Sequence, residues 1–453
     1  MQPFTYHVFT CDQKKPDGLP CCSARGSAAV LDALRREIGA RGLNDTVQLT
    51  TTSSLGLCER GPNLVVYPDG TWYSGVKPED VPEIVREHFL AGRPVARLAN
   101  ADEAAVKAEI TSNRAKYLAS VRAREAAGAV PDELTGMIRG YQESRILLTA
   151  IELDVFTAIA DGASAATVAK RCRTEPRATE LLLNALVALE VVRLAADGYR
   201  NAPVAERFLV ADAPDDARTA LRHNLSLWRT WSSLTEAVRE GHVTLRAEMR
   251  ERDEDWTVPF IAAMHRGAAA RAPSVVDAVG AGNIQRMLDV GGGSGAYAIA
   301  FAQANPQLTA VVLDLPTVLP ITEGHIAEAG LTGRVTTRAG DLRSDDFGRN
   351  YDLVFLSSIC HMLGARGNQD LLARSARALA PGGRVVIQDF ILEPDRTRPR
   401  QAVLFALNML VGTEAGGTYT EAEYSSWLNA AGLAAVRRVR LPGPADLMVG
   451  ARG

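Results

Sequence analysis

The fold of the second half of the chain is decided by the stretch Leu288-Asp289-Val290-Gly291-Gly292-Gly293-Ser294-Gly295. The apolar residues at its start predict a buried strand, and the glycines let the backbone turn tightly and approach a ligand. The helix predicted after the turn would present its free N-terminal amides to a polar or negative group. The stretch therefore predicts a nucleotide site at a strand-to-helix turn.

Strands and helices alternate on both sides of this turn. Strands are predicted at residues 286–290, 310–313, 335–337, 353–356 and 384–387, and residues 434–440 and 446–451 predict a terminal hairpin. Such alternation is typical of a parallel sheet with helices on both faces. We therefore predict an α/β fold with a Rossmann-like domain over residues 276–453.

Three carboxylates follow successive predicted strands, and they identify the nucleotide. Asp289 precedes the glycines, where it would repel a pyrophosphate, and Ala296 occupies the third glycine position of a dinucleotide fingerprint. Asp314 is placed to accept from a ribose diol. Asp341 can accept from an adenine amino group, with Leu342 packing on the ring. The pattern favours S-adenosylmethionine over a dinucleotide.

The region from about 130 to 450 resembles the S-adenosylmethionine-dependent O-methyltransferases of the caffeate and acetylserotonin type, which include bacterial tailoring enzymes. The matching pieces are residues 288–295, Leu313-Asp314-Leu315-Pro316, Gly340-Asp341-Leu342, Ala380-Pro381-Gly382-Gly383-Arg384, Gly416-Gly417-Thr418-Tyr419-Thr420 and residues 427–433. The resemblance implies that Gly291, Gly293, Leu315 and Ser357 also bind the cofactor, with Met264 packed beside it. It further implies a helical, winged-helix region over 130–275 that forms a homodimer and part of the acceptor pocket.

His361 corresponds to the residue that removes the acceptor proton in this family. It lies in Ile359-Cys360-His361-Met362, where the family has Leu-His-Asp-Trp. A neutral imidazole suits a phenol or alcohol proton near pH 7. Asp389 is its expected acidic partner, whereas a second family carboxylate is replaced by Thr418-Tyr419. We expect methyl transfer to a hydroxyl of a small aromatic secondary metabolite, with His361 either as general base or as a group that only orients ligand.

The resemblance also implies an acceptor pocket. Its candidate residues are Trp228, Trp231, Phe405, Asn408, Met409 and Thr413. These side chains suggest a flat, partly apolar acceptor. Because the apparatus around His361 is incomplete, N-, S- or C-methylation and non-methylating uses of S-adenosylmethionine stay open as alternatives.

The first 95 residues carry a separate set of candidate ligands. Cys11, Cys22, Ser54 and Cys58 are separated by ten, thirty-one and three residues. Residues 4–91 resemble the thioredoxin-like [2Fe–2S] ferredoxins, whose cluster is held by four thiolates. The resemblance implies Cys11, Cys22 and Cys58 as metal ligands, with Ser54 at the third position and Cys21 as its possible replacement. Two alternatives concern the site itself: the cluster has been lost, or the cysteines bind zinc. A further alternative concerns the whole protein, which would then be an electron-transfer or adenosyl-sensing protein. Residues 96–129, which follow this region, predict a helical linker.

Composition excludes several classes of function. The chain has 453 residues and a net charge of −3, which gives no broad basic surface for nucleic acid. No apolar run is long enough to span a membrane, and no signal peptide is recognisable, so a cytoplasmic location is expected. The last lysine is Lys170, so the nucleotide region holds neither a Schiff-base nor a phosphate-loop lysine.

Overall fold

The computed structural model describes residues 3–13, 15, 20–244 and 254–453. The chain divides into two compact units, Met1–Gly140 and Tyr141–Gly453. Within the described residues, no helix combines the length and the apolar character needed to cross a lipid bilayer. The finer division predicted from the sequence, with boundaries near residues 95, 129 and 275, stays a prediction.

A four-stranded mixed sheet forms the centre of the first unit. Its strands are β1 (Tyr6–Cys11), β2 (Val47–Thr52), β3 (Asn63–Tyr67) and β4 (Thr71–Ser74). The spatial order is β2-β1-β3-β4, with β2 parallel to β1 and β3 antiparallel to both of its neighbours. The carboxyl end of β1 carries Cys11.

The first unit also contains α-helices, one of which packs a row of apolar side chains into the core beside the sheet. The helices of the unit are α1 (Ser27–Ala40), α2 (Val81–Ile84), α3 (Glu103–Ala126) and α4 (Asp132–Arg139). α1 buries Val30, Leu34 and Ile38 on one face. Residues 78–90 form a 3-10 turn, then α2, then a π-helical turn. Pro82 has no N–H to close an α-helical bond in the first turn, which explains the 3-10 start.

The first half of the second unit is helical. Its elements are α5 (Tyr141–Glu152), α6 (Val155–Ile159), α7 (Ala165–Cys172), α8 (Pro176–Ala188), β5 (Val192–Ala195), β6 (Gly198–Asn201), α9 (Pro203–Phe208), α10 (Arg218–Trp231), α11 (Leu234–Glu240) and α12 (Glu254–Val279). β5 and β6 pair as an antiparallel hairpin, which fits the winged-helix region that the resemblance implies. The apolar stretch 147–159 is interrupted at Asp154, whose φ of 58° is left-handed and ends one helix before the next begins.

A seven-stranded sheet forms the second half of this unit. Its elements are β7 (Arg286–Val290), α13 (Ala296–Ala304), β8 (Thr309–Asp314), α14 (Leu319–Glu328), β9 (Val335–Ala339), β10 (Tyr351–Ser357), α15 (Ala365–Ala378), β11 (Leu379–Asp389), β12 (Ile391–Leu392), α16 (Arg400–Gly412), β13 (Tyr419–Thr420), α17 (Glu421–Ala430), β14 (Ala434–Val439) and β15 (Asp446–Ala451). The strand order is β14-β15-β11-β10-β7-β8-β9. The predicted α/β, Rossmann-like domain is confirmed.

The sheet brings the carboxyl ends of its central strands to one edge. β11, β10, β7, β8 and β9 are mutually parallel, and only the terminal hairpin is antiparallel. Met287, Leu288 and Val290 of β7 are fully buried, as expected for a strand covered on both faces. β11 continues beyond the predicted residues to Asp389, which places this carboxylate at the same edge.

Candidate active site

A cavity opens where the carboxyl ends of β7, β8, β9 and β10 face helix α12. Ligands of open α/β sheets bind at this edge. Its wall contains Gly291, Gly293, Asp314, Leu315, Asp341, Leu342 and Ser357, together with Met264. The structure therefore brings seven of the eight predicted cofactor residues into one cavity.

The glycine-rich turn lies close to neighbouring side chains. Gly291 has a φ of +66°, and a Cβ at this position would lie 2.4 Å from Cδ1 of Ile359. Its N–H donates to the Leu313 carbonyl at 2.7 Å, which ties the turn to β8. Gly293 has a φ of +56°, and a Cβ at this position would be in ordinary contact with Cδ1 of Ile261 at 3.8 Å. A side chain at Gly291 would therefore distort the turn, while at Gly293 the left-handed backbone is what favours glycine.

Asp314 is anchored by the backbone and keeps acceptor capacity. Its Oδ2 accepts from the N–H of Gly293 at 2.8 Å, and its Oδ1 accepts from the N–H of Leu315 at 2.7 Å. Burial raises the pKa of this carboxyl, and the two backbone donors oppose that rise. Each oxygen retains a lone pair, so the carboxylate can accept from two ribose hydroxyls.

Asp289 differs from the other predicted cofactor residues because it is absent from the cavity wall. It is fully buried, and a Cβ on Gly292 would lie 2.7 Å from its Cγ. Neither carboxyl oxygen makes a hydrogen bond of normal geometry in the described part of the chain, although the backbone N–H of Ala298 lies near enough to oppose the effect of burial. Burial raises its pKa to about 7. Beneath the glycine turn the structure thus holds a carboxyl group that the chain satisfies only weakly.

His361 and Asp389 meet at the carboxyl edge, as predicted. Nδ1 of His361 lies 2.7 Å from Oδ1 of Asp389, and the backbone N–H of His361 donates to Oδ2 at 3.1 Å. Oδ1 also accepts from the N–H of Phe390 at 2.9 Å. An ionised Asp389 fixes the proton on Nδ1, which leaves the lone pair on Nε2. His361 is buried just outside the cavity wall, while Met362 beside it lines the cavity.

Tyr419 fills the place of the missing second carboxylate. Its hydroxyl donates to the carbonyl of Leu363, two residues after His361. Burial raises the pKa of Tyr419 to about 12. Its ring packs edge-on against Trp427, with 4.8 Å between centroids. A neutral phenol therefore supports the loop that carries His361.

None of the six predicted acceptor residues lines the cavity described above, and one of them, Phe405, contacts His361. The ring of Phe405 lies edge-on to the His361 ring, with 4.8 Å between centroids. One turn later on α16, Oδ1 of Asn408 accepts from Nε1 of Trp231 at 2.9 Å. Trp228 packs against the guanidinium of Arg145. Met409 is buried, and the Thr413 hydroxyl is used by the backbone of Met409 and Gly416.

Several cavity residues were missed from the sequence. They are Trp256, Thr257, Phe260, Ile261, Ala268 and Arg271 on α12, and Ser294 and Tyr297 after the glycine turn. The α12 residues recur at helical spacing with Met264, a pattern that could have identified them. Ser294 also lies 2.8 Å from Nδ1 of His265, whose ring stacks on His325 at 4.0 Å between centroids.

In the first unit, the predicted metal ligands lie in two pairs. The Cys22 thiol hydrogen-bonds Cys11 and lowers the pKa of Cys11 to about 6. Oγ of Ser54 lies 3.2 Å from Sγ of Cys58, to which Nζ of Lys15 also donates at 3.1 Å. In the described ranges, no three His, Cys, Asp or Glu side chains are grouped to hold one metal ion. This finding counts against the zinc alternative.

Comparison with known proteins gives consistent matches to the second unit. An O-methyltransferase domain model matches residues 231–434, and an O-methyltransferase dimerisation domain model matches residues 135–211. A 3-hydroxy-5-methyl-1-naphthoate 3-O-methyltransferase of Streptomyces sahachiroi is 35% identical, over 69% of this chain and 92% of its own. The tetracenomycin 8-O-methyltransferase TcmO of Streptomyces glaucescens is 31% identical, over 71% and 96%. The crystal structure of human N-acetylserotonin methyltransferase with S-adenosylmethionine is 27% identical, over 71% and 96%, with a TM-score of 0.63.

Proposed function

The chain belongs to the S-adenosylmethionine-dependent O-methyltransferases, and from that premise we propose that it methylates a hydroxyl of a small aromatic metabolite with His361 as general base. One observation carries the proposed role: Asp389 orients the His361 imidazole through the ring and the backbone, leaving Nε2 without a partner in the described chain. A neutral Nε2 accepts the hydroxyl proton as the acceptor oxygen becomes a nucleophile.

The cavity residues divide the binding of S-adenosylmethionine between them. Asp314 binds the ribose hydroxyls, Asp341 and Leu342 bind the adenine, and Gly291, Gly293, Leu315 and Ser357 shape the wall. Asp289 lies beneath the glycine turn with its carboxyl against Gly292, so it would act on the ligand through the position of that turn. S-adenosylmethionine supplies an activated methyl group, so alignment of the acceptor with that methyl provides most of the remaining rate.

The aromatic side chains beside His361 favour a planar acceptor. Phe405 presents its ring beside His361, and Trp231 fixes the amide of Asn408 on the same helix. Aromatic side chains gain most from packing against flat, apolar surfaces. The relatives named above act on a hydroxynaphthoate and on a tetracenomycin polyketide, which are acceptors of this shape.

Methyl transfer can be tested with S-adenosylmethionine carrying a labelled methyl group. The acceptors would be 3-hydroxy-5-methyl-1-naphthoate, N-acetylserotonin and a panel of polycyclic phenols. We expect a product heavier by one CH₂ that carries the label on oxygen. Label found only on nitrogen, sulfur or carbon would contradict O-methylation, and consumption of S-adenosylmethionine without label transfer would favour a non-methylating reaction.

We also propose that the protein is a homodimer assembled through residues of about 130–275. The dimerisation domain model matches within this region. Leu153, Leu181 and Leu194 expose apolar surface there, with Leu181 57% exposed. Exposed apolar side chains in helical regions are typical of subunit interfaces. Light scattering at micromolar concentration should give a dimer mass, and a monomer mass would contradict the proposal.

For the first unit we propose a thioredoxin-like, [2Fe–2S]-binding module. Two features support this proposal: the sheet order with only β3 reversed, and the donor pairs Cys11–Cys22 and Ser54–Cys58. In a two-iron cluster each iron takes two protein ligands, so separate pairs suit it better than a single ion. Cys11, Cys22 and Cys58 would supply sulfur and Ser54 oxygen, and the cluster would carry one electron.

The cluster can be tested by colour and iron content. Anaerobically purified protein from iron-replete cells should be brown, and Cys58→Ala should lose its visible absorption because too few ligands remain. Ser54→Cys should retain a more stable cluster. Cys172→Ala, in the second unit, is the matched control and should remain brown. Colourless wild-type protein without iron would leave the first unit as a structural or docking module.

A further inference from the structure

Two histidines stack beside the glycine-rich turn, and the mechanism proposed above uses neither of them. His265 lies on α12 and His325 on α14. Their ring centroids are 4.0 Å apart, and the ring planes are inclined by 5°. Both side chains lie outside the cavity wall. The stack therefore joins two helices behind the wall of the cofactor cavity.

Each of these helices also contacts the glycine-rich turn by a hydrogen bond. On α12, Nδ1 of His265 lies 2.8 Å from Oγ of Ser294, a buried residue of the cavity wall. On α14, Oγ1 of Thr322 donates to the Gly293 carbonyl at 2.6 Å. Thr322 and His325 are three residues apart and so share a helix face. The histidine stack thus completes a closed set of contacts that runs from the turn through both helices and back.

The bond to Ser294 depends on the protonation state of His265. A neutral imidazole with its hydrogen on Nε2 accepts at Nδ1 from the Ser294 hydroxyl. An imidazolium carries hydrogen on both nitrogens and can only donate, so the hydroxyl would have to turn its own hydrogen away. The added charge would also lie 4.0 Å from the second imidazole, which disfavours a second proton. One proton therefore changes both contacts of His265.

The surroundings of His265 favour its neutral form. Burial lowers its pKa, the neighbouring His325 lowers it further, and Glu328 opposes both effects. Glu328 lies on the same helix as His325, with 3.5 Å between its Oε2 and Nδ1 of His325. The carboxyls of Asp289 and Asp314 lie against the same turn from the side of the sheet. These carboxyls titrate independently of the stack, so a test has to separate their effect from that of the histidines.

We propose that His265 and His325 are positioning residues that hold the glycine-rich turn while both imidazoles are neutral, and that protonation of this pair weakens the binding of S-adenosylmethionine. The inference rests on the proposed function, because it takes the cavity to be the cofactor site. The sulfonium of S-adenosylmethionine is itself positive, so a positive charge behind the turn opposes its binding as well.

The test measures affinity for S-adenosylhomocysteine by calorimetry from about pH 5 to about pH 8. This ligand has no sulfonium charge, so it reports on the position of the turn. Wild-type affinity should fall by about 3- to 10-fold between pH 7.5 and pH 5, because binding then requires loss of a proton. The midpoint should lie below 6.5, the ordinary pKa of histidine.

The decisive variant is His265→Asn. The asparagine carbonyl can accept from Ser294 in place of Nδ1, but it takes up no proton. The variant should bind within about threefold of wild type at pH 7.5 and should lose the histidine part of the acid fall. Asp289 and Asp314 are unchanged in it, so the difference from wild type isolates the histidine.

His325→Phe sharpens the test because it keeps a ring in the stack and removes the second titrating group. The pKa of His265 should rise, so the fall in affinity should begin about 0.5–1 pH unit higher than in wild type. The matched control is His242→Asn, at a half-exposed histidine beside Glu240 and outside the cavity wall. Its pH profile should match that of wild type.

Three results would overturn the proposal. Equal acid falls in wild type and His265→Asn would assign the pH dependence to the carboxyls, and no fall in wild type would remove it altogether. A loss of affinity in His265→Asn of the same size at every pH would make His265 a packing residue only. If folded wild-type protein bound no S-adenosylhomocysteine at any pH, the proposed function itself would fail.

Discussion

In the second unit the His361 ring is oriented by a carboxylate from a neighbouring strand. In the first unit, by contrast, the four candidate cluster ligands form two separate pairs. Asp389 accepts from the His361 ring at 2.7 Å and from its backbone N–H at 3.1 Å, so the imidazole is oriented before any ligand binds. Ser54 and Cys58 form one hydrogen-bonded pair of candidate ligands, and Cys11 and Cys22 form the other. The His361 imidazole is thus oriented by the chain itself, while the two pairs would need a bridging group to act together.

The same contrast exists inside the second unit. Asp389 accepts three hydrogen bonds of normal geometry, while Asp289 accepts none in the described chain and has only the nearby N–H of Ala298. Both carboxyl groups are buried. A well-satisfied carboxylate can orient a protein side chain, whereas a poorly satisfied one lowers the stability of the fold when it ionises. Three substitutions can break or sharpen this comparison.

The largest effect is expected from His361→Ala. Loss of the general base should lower turnover by about 10²- to 10⁴-fold. Affinity for S-adenosylhomocysteine should stay near that of wild type, because His361 lies outside the wall of the cofactor cavity. Steady-state kinetics and calorimetry measure the two quantities. His242→Ala, at a half-exposed histidine outside the cavity, is the control and should change neither.

Asp314→Ala should have the next largest effect. The variant removes the acceptor for the ribose hydroxyls and frees the N–H groups of Gly293 and Leu315. We expect affinity for S-adenosylhomocysteine to fall by about 10- to 100-fold. Calorimetry on folded protein, verified by circular dichroism, measures the loss. An unchanged affinity would place the cofactor site elsewhere.

The smallest effect is expected from Asp289→Asn, and it concerns stability. Burial raises the pKa of Asp289 from 3.8 to about 7 in the folded state, so the folded protein binds an extra proton between these values. Stability from this group is therefore lost as the pH rises through that window. Without ligand, the variant should gain on wild type by about 1–3 kcal/mol between pH 5 and pH 8.

Urea unfolding at a series of pH values measures this difference. The gain should grow as the pH rises from about 4 to about 7, where the unfolded wild type has lost the Asp289 proton and the folded protein keeps it, and should level off above that range. A difference that does not depend on pH would mean that Asp289 does not titrate in this range. The comparison with Asp389 would then lose its electrostatic basis.

Seven of the eight cofactor residues predicted from the sequence share one cavity wall, because the signals that identify them are local. The glycine turn, Asp314 and Asp341 each follow a strand, and parallel strands bring their carboxyl ends to one edge. The pairing of His361 with Asp389 followed from the family resemblance and from the same rule. Asp289 was the exception, because a strand-end position does not reveal that a carboxyl group lies beneath the turn.

Contacts between residues far apart in the chain could not be predicted from the sequence. Trp231 and Asn408 are 177 residues apart, so their hydrogen bond depends on how α10 packs against α16. The positions of Arg271 and Tyr297 in the cavity wall were not predicted, because an arginine in a helix and a tyrosine after a turn carry no distinctive sequence pattern. Only the packed structure shows that their polar atoms are buried without partners. The thiol pairs likewise depend on the folding of the first unit.

The most direct test of the central claim is the pH dependence of methyl transfer by wild type and His361→Ala with one phenolic acceptor. A general base is needed only while the acceptor hydroxyl holds its proton. We predict that the deficit of the variant is about 10²-fold or more near pH 7 and shrinks steadily as the pH approaches the pKa of the acceptor hydroxyl. A deficit that stays constant across this range, or no deficit at all, would contradict His361 as the base.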